Sequence, residues 1–410
     1  MSTVVPKGYK QTKVGVIPED WDVKKLGFFI QALEAGVSVN STDGGNGGEK
    51  RILKTSAISE GKFIPEESKT ILEKDLARAK LNPKKNSLII SRMNTPELVG
   101  AIGVVKKDYP DLYLPDRLWQ TKFSKTNPIN PYWLNYLLNT EKYKTRIQSL
   151  ATGTSNSMKN IAKTALLNVE IGCPSLNEQQ KIAEILSTWD DAIARQETLI
   201  AQKERYKKGL MQKLLSGEVR FAGFSGEWEE VKLGKIAKVT MGQSPSSDAY
   251  NDVNVGLPLI QGNADCKNRK TSPRIFTSQK TKECFVGDIV MSVRAPVGTI
   301  AKSVHNACIG RGVCAIRFSK DNDFLYHLLV AHESKWKSYS QGSTFEAVNG
   351  NDIKNLRLKL PVEGEQQKIA EVLTAADNEI EALKKALQTL KDQKKGLMQQ
   401  LLTGKVRVSL

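Results

Sequence analysis

Histidine and cysteine are scarce in this sequence: three histidines and five scattered cysteines in 410 residues. So few imidazoles leave little material for a Ser/His/Asp centre. Five cysteines with no tight CxxC pair make neither a disulfide framework nor a ready zinc site, and a reducing cytoplasm is the simplest compartment. No apolar run approaches the roughly 18 residues of a membrane span, so a membrane partner is not expected. The N-terminal MSTVVPKGYKQTK has no apolar core of a secretory signal. Acidic residues are also short relative to basic ones, 44 against 61, a net charge of +17. That imbalance suits a polyanionic partner without naming one.

What is present is a repeat. Residues 178–221 and 365–408 align without a gap at an offset of 187, with 21 of 44 positions identical. Both contain EQQKIAE, KKGLMQ and a closing Gly-x-Val-Arg. In the first block Ile182, Leu186, Trp189, Ile193, Gln196, Ile200, Lys203, Lys207, Leu210 and Leu214 step by alternating four and three residues. In the second the same register holds Ile369, Leu373, Ala376, Ile380, Leu383, Leu387, Leu390, Lys394, Leu397 and Leu401. A 3.5-residue seam of this length predicts two coiled-coil helices, and the shared register predicts that they meet each other. Gly217 and Gly404 are the expected stops.

The repeat extends weakly outward. Trp21…Leu26-Gly27 matches Trp228…Leu233-Gly234, Val99-Gly100 matches Val297-Gly298, and Pro174 and Pro361 each stand four residues before EQQKIAE. The expected layout is globule 1–177, helix 178–221, globule 222–364 and helix 365–410. Each globule reads as α/β or α+β. Short β-like runs (87–90, 101–105, 288–293 and 313–318) lie among turns, and helical stretches cover 131–150 and 322–341. The globules carry most of the excess charge, +9 for 1–177 and +5 for 222–364. A nucleic-acid footprint would concentrate charge in this way, and so would an ordinary solubilising surface.

Catalytic signatures are lacking. There is no GxxxxGK[ST] loop and no GxGxxG after a strand, so neither a nucleotide motor nor an S-adenosylmethionine cradle has a candidate. Asn130-Pro131-Tyr132-Trp133 touches on the Asn-Pro-Pro-Tyr motif of amino-methyltransferases but lacks the second proline, and the prolines suit a helix start. Cys266, Cys284, His305, Cys308 and Cys314 could surround a zinc ion only without the usual spacing, and buried thiols are the simpler reading. The expectation is a chain without its own active site, metal or cofactor.

The globules instead offer side chains suited to base edges and phosphates. In the first these are Lys50, Arg51, Arg92, Asn94, Arg117 and Gln120; in the second, Gln243, Ser244, Gln261, Asn263, Arg294 and Arg311. Arginine matches guanine, and glutamine or asparagine matches adenine, by two-point contacts in the major groove. Gly153-Thr154-Ser155 and Gly342-Ser343-Thr344 are either phosphate-binding loops or plain turns.

Taken together, the two EQQKIAE…KKGLMQ.LL.G.VR blocks resemble the conserved regions of the specificity subunit of Type I restriction–modification enzymes. So do SRMNTPELVG, LPDRLWQ, MGQSPSS, LIQGNAD, MSVRAPVG and IGRGVCAIR in the globules. The resemblance covers nearly the whole chain. It implies two target-recognition domains in a pseudo-twofold arrangement, separated by an antiparallel two-helix coiled coil and reading the two halves of an interrupted double-stranded DNA sequence. It also implies partners: two methyltransferase (M) subunits carrying S-adenosylmethionine, and restriction (R) subunits using ATP and magnesium. A stand-alone bipartite DNA-binding regulator is the alternative.

Overall fold

The structure, a computed structural model, describes residues 5–44, 50–153, 158–340 and 347–409. The repeat blocks form two long helices, a central one over Leu176–Ser216 and a C-terminal one over Glu363–Leu401. At about 1.5 Å per residue each is roughly 60 Å long. The central helix ends where Gly217 takes a φ of +75°, a backbone setting that a residue with a Cβ adopts at a cost.

The chain divides into two compact units, Met1–Arg195 with Leu387–Leu410, and Gln196–Ala386. The helices are therefore shared: each unit holds one globule, the adjoining part of one long helix and part of the other. Within the second unit Gln196 Nε2 donates to Leu383 O at 3.0 Å, Lys203 lies 2.6 Å from Glu379, and Lys207 pairs with Asp377. Rising numbers on one helix meet falling numbers on the other, so the helix segments run antiparallel. In the first unit Asp190 meets Lys394 at 2.6 Å in the same sense.

Both globules are built on one plan. In the first unit a six-stranded sheet is centred on Leu118–Phe123, Leu88–Ser91 and Ile102–Val104, all antiparallel, with Ile30–Ala35 at one edge. In the second unit Val313–Phe318, Ile289–Ser292 and Ile300–Lys302 take those places, with Ala237–Met241 at the edge. A second, smaller sheet has a parallel pair in each unit: Arg51–Leu53 beside Leu112–Tyr113, and Leu257–Ile260 beside Ala307–Ile309. The central strands are buried on both faces, as in Leu88, Ile89 and Ile90, which explains why they read as continuous apolar runs rather than alternating ones.

The expected helix at 131–150 is two helices, Pro131–Leu138 and Glu141–Ser149. Local hydrogen bonds end the first: Asn139 Nδ2 donates to Asn135 O at 2.8 Å and Thr140 Oγ1 to Leu137 O at 2.7 Å. Asn130 caps that helix by accepting from the N–H groups of Tyr132 and Trp133, with Pro131 in its first turn, so this motif has a structural role.

The seam positions are all buried or half-buried: Ile182, Leu186, Trp189, Ile193, Ile200, Leu210, Leu214, Ile369, Leu373, Ile380, Leu383, Leu387, Leu390, Leu397 and Leu401. Their outer members do more than join helix to helix. Ile182, Leu186 and Leu401 belong to the main core of the first globule, and Ile369, Leu373 and Leu214 to that of the second.

The ends of the repeat blocks close on each other. Glu178, buried, accepts from Arg407 at 2.7 and 2.9 Å and from the Trp21 indole at 3.3 Å. Glu365, fully buried, accepts from Arg220 at 2.6 and 2.7 Å. The following glutamines are tied to the prolines before them: Gln179 Nε2 donates to Pro174 O at 3.0 Å and Gln366 Nε2 to Pro361 O at 2.8 Å.

Arg407 also reaches the exposed Asp20, which it holds below the usual carboxylate range by hydrogen bonding. Replacing Arg407 by alanine strands a buried carboxylate, and the expected loss is about 2 kcal/mol or more. Asp20→Ala, at an exposed pair, should cost less than about 1 kcal/mol. Urea denaturation of the two variants checks the ordering; equal effects would contradict it.

Candidate nucleic-acid interface

In the second globule the edge strand Ala237–Met241 runs out at Gly242, where the backbone passes so close to its neighbour that a Cβ would sit 2.1 Å from Gly310 O. Glycine is required there, and the chain then turns into the 243–247 loop. Backbone hydrogen bonds stitch this loop to two others: Gln243 N donates to Ile309 O at 2.8 Å, and Gly310 N to Ile260 O at 2.8 Å. Arg311 N donates to Ser244 Oγ at 3.1 Å.

The 261–265 loop is shaped from below by a buried acid. Asp265 Oδ2 accepts from Gln261 N at 2.8 Å and Gly262 N at 3.2 Å, while its Oδ1 accepts from Arg274 Nε at 2.8 Å. Arg294 emerges after strand Ile289–Ser292, and Val293 N is held by Gly312 O at 2.9 Å.

These loops enclose an open cleft of about 800 Å³, lined by Gln243, Ser244, Tyr250, Gln261, Asn263, Arg294 and Arg311, among others. Six candidates named from sequence, far apart in the chain, thus face one cavity. Its lining contains no carboxylate, and Arg294 and Arg311 are exposed with no ion pair among the described residues. The arrangement presents two guanidinium forks and three carboxamides on a framed floor, a donor-rich surface suited to base edges or phosphates. Ser343 and Thr344 lie outside the described residues, as do Thr154 and Ser155 of the corresponding loop.

The first globule has the same scaffold with different chemistry. Gly36 occupies the place of Gly242, since a Cβ there would sit 1.7 Å from Leu114 O. Where Ser244 takes the Arg311 N–H, Ser38 instead donates to the carboxylate of Asp116. Arg117 is exposed, and its carbonyl accepts the Arg92 N–H at 3.1 Å. The Arg92 guanidinium lies 5.7 Å from the centre of the buried Trp119 ring. Lys50 donates to Tyr113 Oη at 3.1 Å, and Arg51 donates to Ser68 O at 3.3 Å.

Two of the sequence candidates point inward. Gln120 is buried, its Oε1 accepting from Lys84 N at 2.9 Å and Ser87 Oγ at 3.2 Å. Asn94 is buried, bonded to Ser91 Oγ at 3.1 Å and to Thr95 N at 2.9 Å. Both amides hold loops together and are not offered to a ligand in this structure.

Sequence reasoning missed Asp265, Arg274 and Tyr250. An aspartate four residues after Gln261 in a Gly-containing turn is the usual way to tie loop N–H groups, and that signal was available in LIQGNAD. The cysteines behave as small apolar groups: burial pushes the Cys314 thiol up to about 12 and the Cys266 thiol up to about 11. His305 Nδ1 lies 2.9 Å from Thr271 Oγ1. Among the described residues no cluster has metal-ligand geometry, and no helix is long and apolar enough to cross a membrane.

Comparison with known proteins agrees with this layout. The model of the Type I restriction modification DNA specificity domain matches twice, at residues 18–205 and 225–392. A putative type I restriction enzyme MjaX specificity subunit of Methanocaldococcus jannaschii is 32% identical, covering 98% of this chain and 97% of that protein. The MjaVIII specificity subunit of the same organism is 26% identical over 96% and 94% of the two chains. Among solved structures, the S subunit of a Type I restriction–modification system from M. genitalium superimposes with a TM-score of 0.64 at 16% identity, over 95% of this chain and 96% of that one. A chain from a structure of a type I R-M system gives 0.59 at 24%, over 95% and 99%. Both solved structures share the fold. With two copies of the specificity domain and a relative of matching length, this chain belongs to the DNA specificity subunits of Type I restriction–modification systems.

Proposed function

We propose that each globule reads one half of an asymmetric, interrupted double-stranded DNA sequence, with the helix pair setting the spacer between the halves. The observation that carries this is the difference between the two readers. One scaffold occurs twice, but the second presents Arg294 and Arg311 around an acid-free cleft where the first places Asp116 beside Arg117. Two equal frames with unequal side chains suit an asymmetric target. In the second globule Gln243, Gln261, Asn263, Arg294 and Arg311 are the proposed base-edge and phosphate contacts. In the first they are Lys50, Arg51, Arg92 and Arg117.

Catalysis belongs to partners on this reading. Methyltransferase subunits would bring S-adenosylmethionine and dock on the helix pair; restriction subunits would bring ATP and magnesium. The family is one of specificity subunits, which favours this assembly, working in the cytoplasm, over a stand-alone regulator.

The central test exchanges residues 222–364 for the matching segment of a relative and maps the methylated motif in the host. One half of the motif should change while the other stays; a change in both halves contradicts separate readers. Within the second reader, Arg311→Ala should cost about 1–3 kcal/mol of binding and relax preference at a single base pair, since a two-point contact to one base is lost. A uniform loss over all sequences, with a salt slope shallower by about one, would instead make Arg311 a phosphate contact.

The spacer reading has its own measurement. One heptad inserted after Ile200 and another after Leu387 keeps the four-three pattern. It lengthens the pair by about 10 Å, at 1.5 Å per residue. That matches roughly three base pairs, and preference for the native spacer should fall steeply in competition binding at fixed salt. Unchanged spacer preference in a folded variant would mean that the helices do not set the distance.

A further inference from the structure

The seam contains lysines at positions where a leucine or isoleucine would pack, and the structure shows what they do. Lys207 is buried, with 11% of its side chain exposed, and its ammonium pairs with Asp377 on the facing helix. Lys394 is 16% exposed and lies 2.6 Å from Asp190 Oδ1. These are the same pair twice, because the lysines are 187 apart in sequence and so are the aspartates. The first lies within the second unit and the other within the first.

A third side chain, from the globule, stands beside each carboxylate, hydrogen-bonded to it in the first unit only. In the first unit Tyr136, on the helix Pro131–Leu138, donates to Asp190 Oδ2 at 2.5 Å, and the Lys394 ammonium stands 5.0 Å from the centre of its ring. In the second, His327 on Asn322–Ser340 has Nδ1 3.9 Å from Asp377 Oδ2, while its Nε2 lies 2.9 Å from Thr374 Oγ1. Tyr136 and His327 are equivalent in sequence: Trp133-Leu134 precedes one and Leu137-Leu138 follows it, as Phe324-Leu325 and Leu328-Leu329 flank the other. Burial holds His327 neutral, with its pKa lowered to about 3.

Such clusters are poor devices for stability. Each lysine is largely withdrawn from water while its aspartate stays about a third exposed, 36% for Asp377 and 30% for Asp190. The attraction therefore recovers little more than the lysine's desolvation cost, and a well-packed apolar pair in its place often stabilises. What they supply is discrimination. A heptad slip of the helices in one direction sets Lys207 against Ala370 and Lys394 against Ala183; in the other Lys394 would meet Glu197, but Lys207 would meet Lys384. Leucines and isoleucines alone would accept these slips more readily, since one apolar residue replaces another.

We infer that Lys207–Asp377–His327 and Lys394–Asp190–Tyr136 are positioning clusters that select the helix register and seat each globule's helix on it, so that they govern spacer specificity and not stability. This rests on the reading that the helix pair sets the spacer.

The test uses the full-length chain with Lys207→Met, Asp377→Leu, Lys394→Met and Asp190→Leu combined, and a second variant in which each lysine and its aspartate are exchanged. Duplexes carry the mapped motif with the native spacer or one pair more or fewer. The unaltered chain should prefer its native spacer by about tenfold or more. The apolar variant should melt no lower than the unaltered chain, yet its preference should shrink to about threefold or less, while the exchanged variant keeps most of it. Register is read without DNA from the distance between spin labels at Lys208→Cys and Ala375→Cys: a single narrow distribution in the unaltered chain, and a broad or multiple one in the apolar variant.

An apolar variant with native melting, one narrow distance and an unchanged spacer preference would overturn the inference, because core packing and the Glu178–Arg407 and Glu365–Arg220 pairs would then suffice to fix register. A variant that melts well below the unaltered chain would overturn it too, since the clusters would be holding the fold. If the unaltered chain showed no spacer preference, the spacer reading itself would fail, and the label distances would still decide whether the clusters select register.

Discussion

Two glutamates with almost no exposed surface, Glu178 and Glu365, govern how this chain is put together. A buried carboxylate is tolerable only beside a cation and further donors. Neither finds its cation in its own repeat block. Glu178 opens the first block and is met by Arg407, which closes the second; Glu365 opens the second and is met by Arg220, which closes the first. This exchange places the start of one long helix beside the end of the other. Antiparallel pairing, the return of the C-terminal tail to the N-terminal segment through Tyr9 Oη and Gly404 O at 2.8 Å, and the union of helix ends with globule cores all agree with it.

Much of this was legible in advance, for definable reasons. The seam could be read because a 3.5-residue repeat survives in any environment, and the matched registers implied partners. The central strands could be read because they are buried on both faces. The division into units was not legible, because a continuous helix carries no mark where its neighbours change. Nor was the break at Asn139-Thr140, where two side chains turn back on their own helix and leave the apolar pattern intact.

The grouping of the candidate residues was legible in one globule more than in the other. In the second, short polar motifs sit on three loops that glycines bring into close approach, so residues chosen by chemistry also share a place. In the first, chemistry misled at two positions: Gln120 and Asn94 look like base readers in a string of letters, but their amides satisfy buried backbone and hydroxyl groups. A carboxamide serves a loop as well as it serves an adenine, and only burial separates the two uses. The acid beneath the 261–265 loop shows the converse, a residue absent from the cleft wall that shapes the wall.

The crossed pairing of the glutamates and arginines also has a consequence for inheritance. Each bond joins residues from different copies of the repeat, and both copies keep the same letters at those points. A genetic exchange with crossovers inside the two blocks leaves Glu178 and Arg407 in place and moves positions 220 and 365 together with the globule between them, so neither pair is split. Each globule therefore travels with its own clasp, and exchange of one leaves the clasp of the other closed.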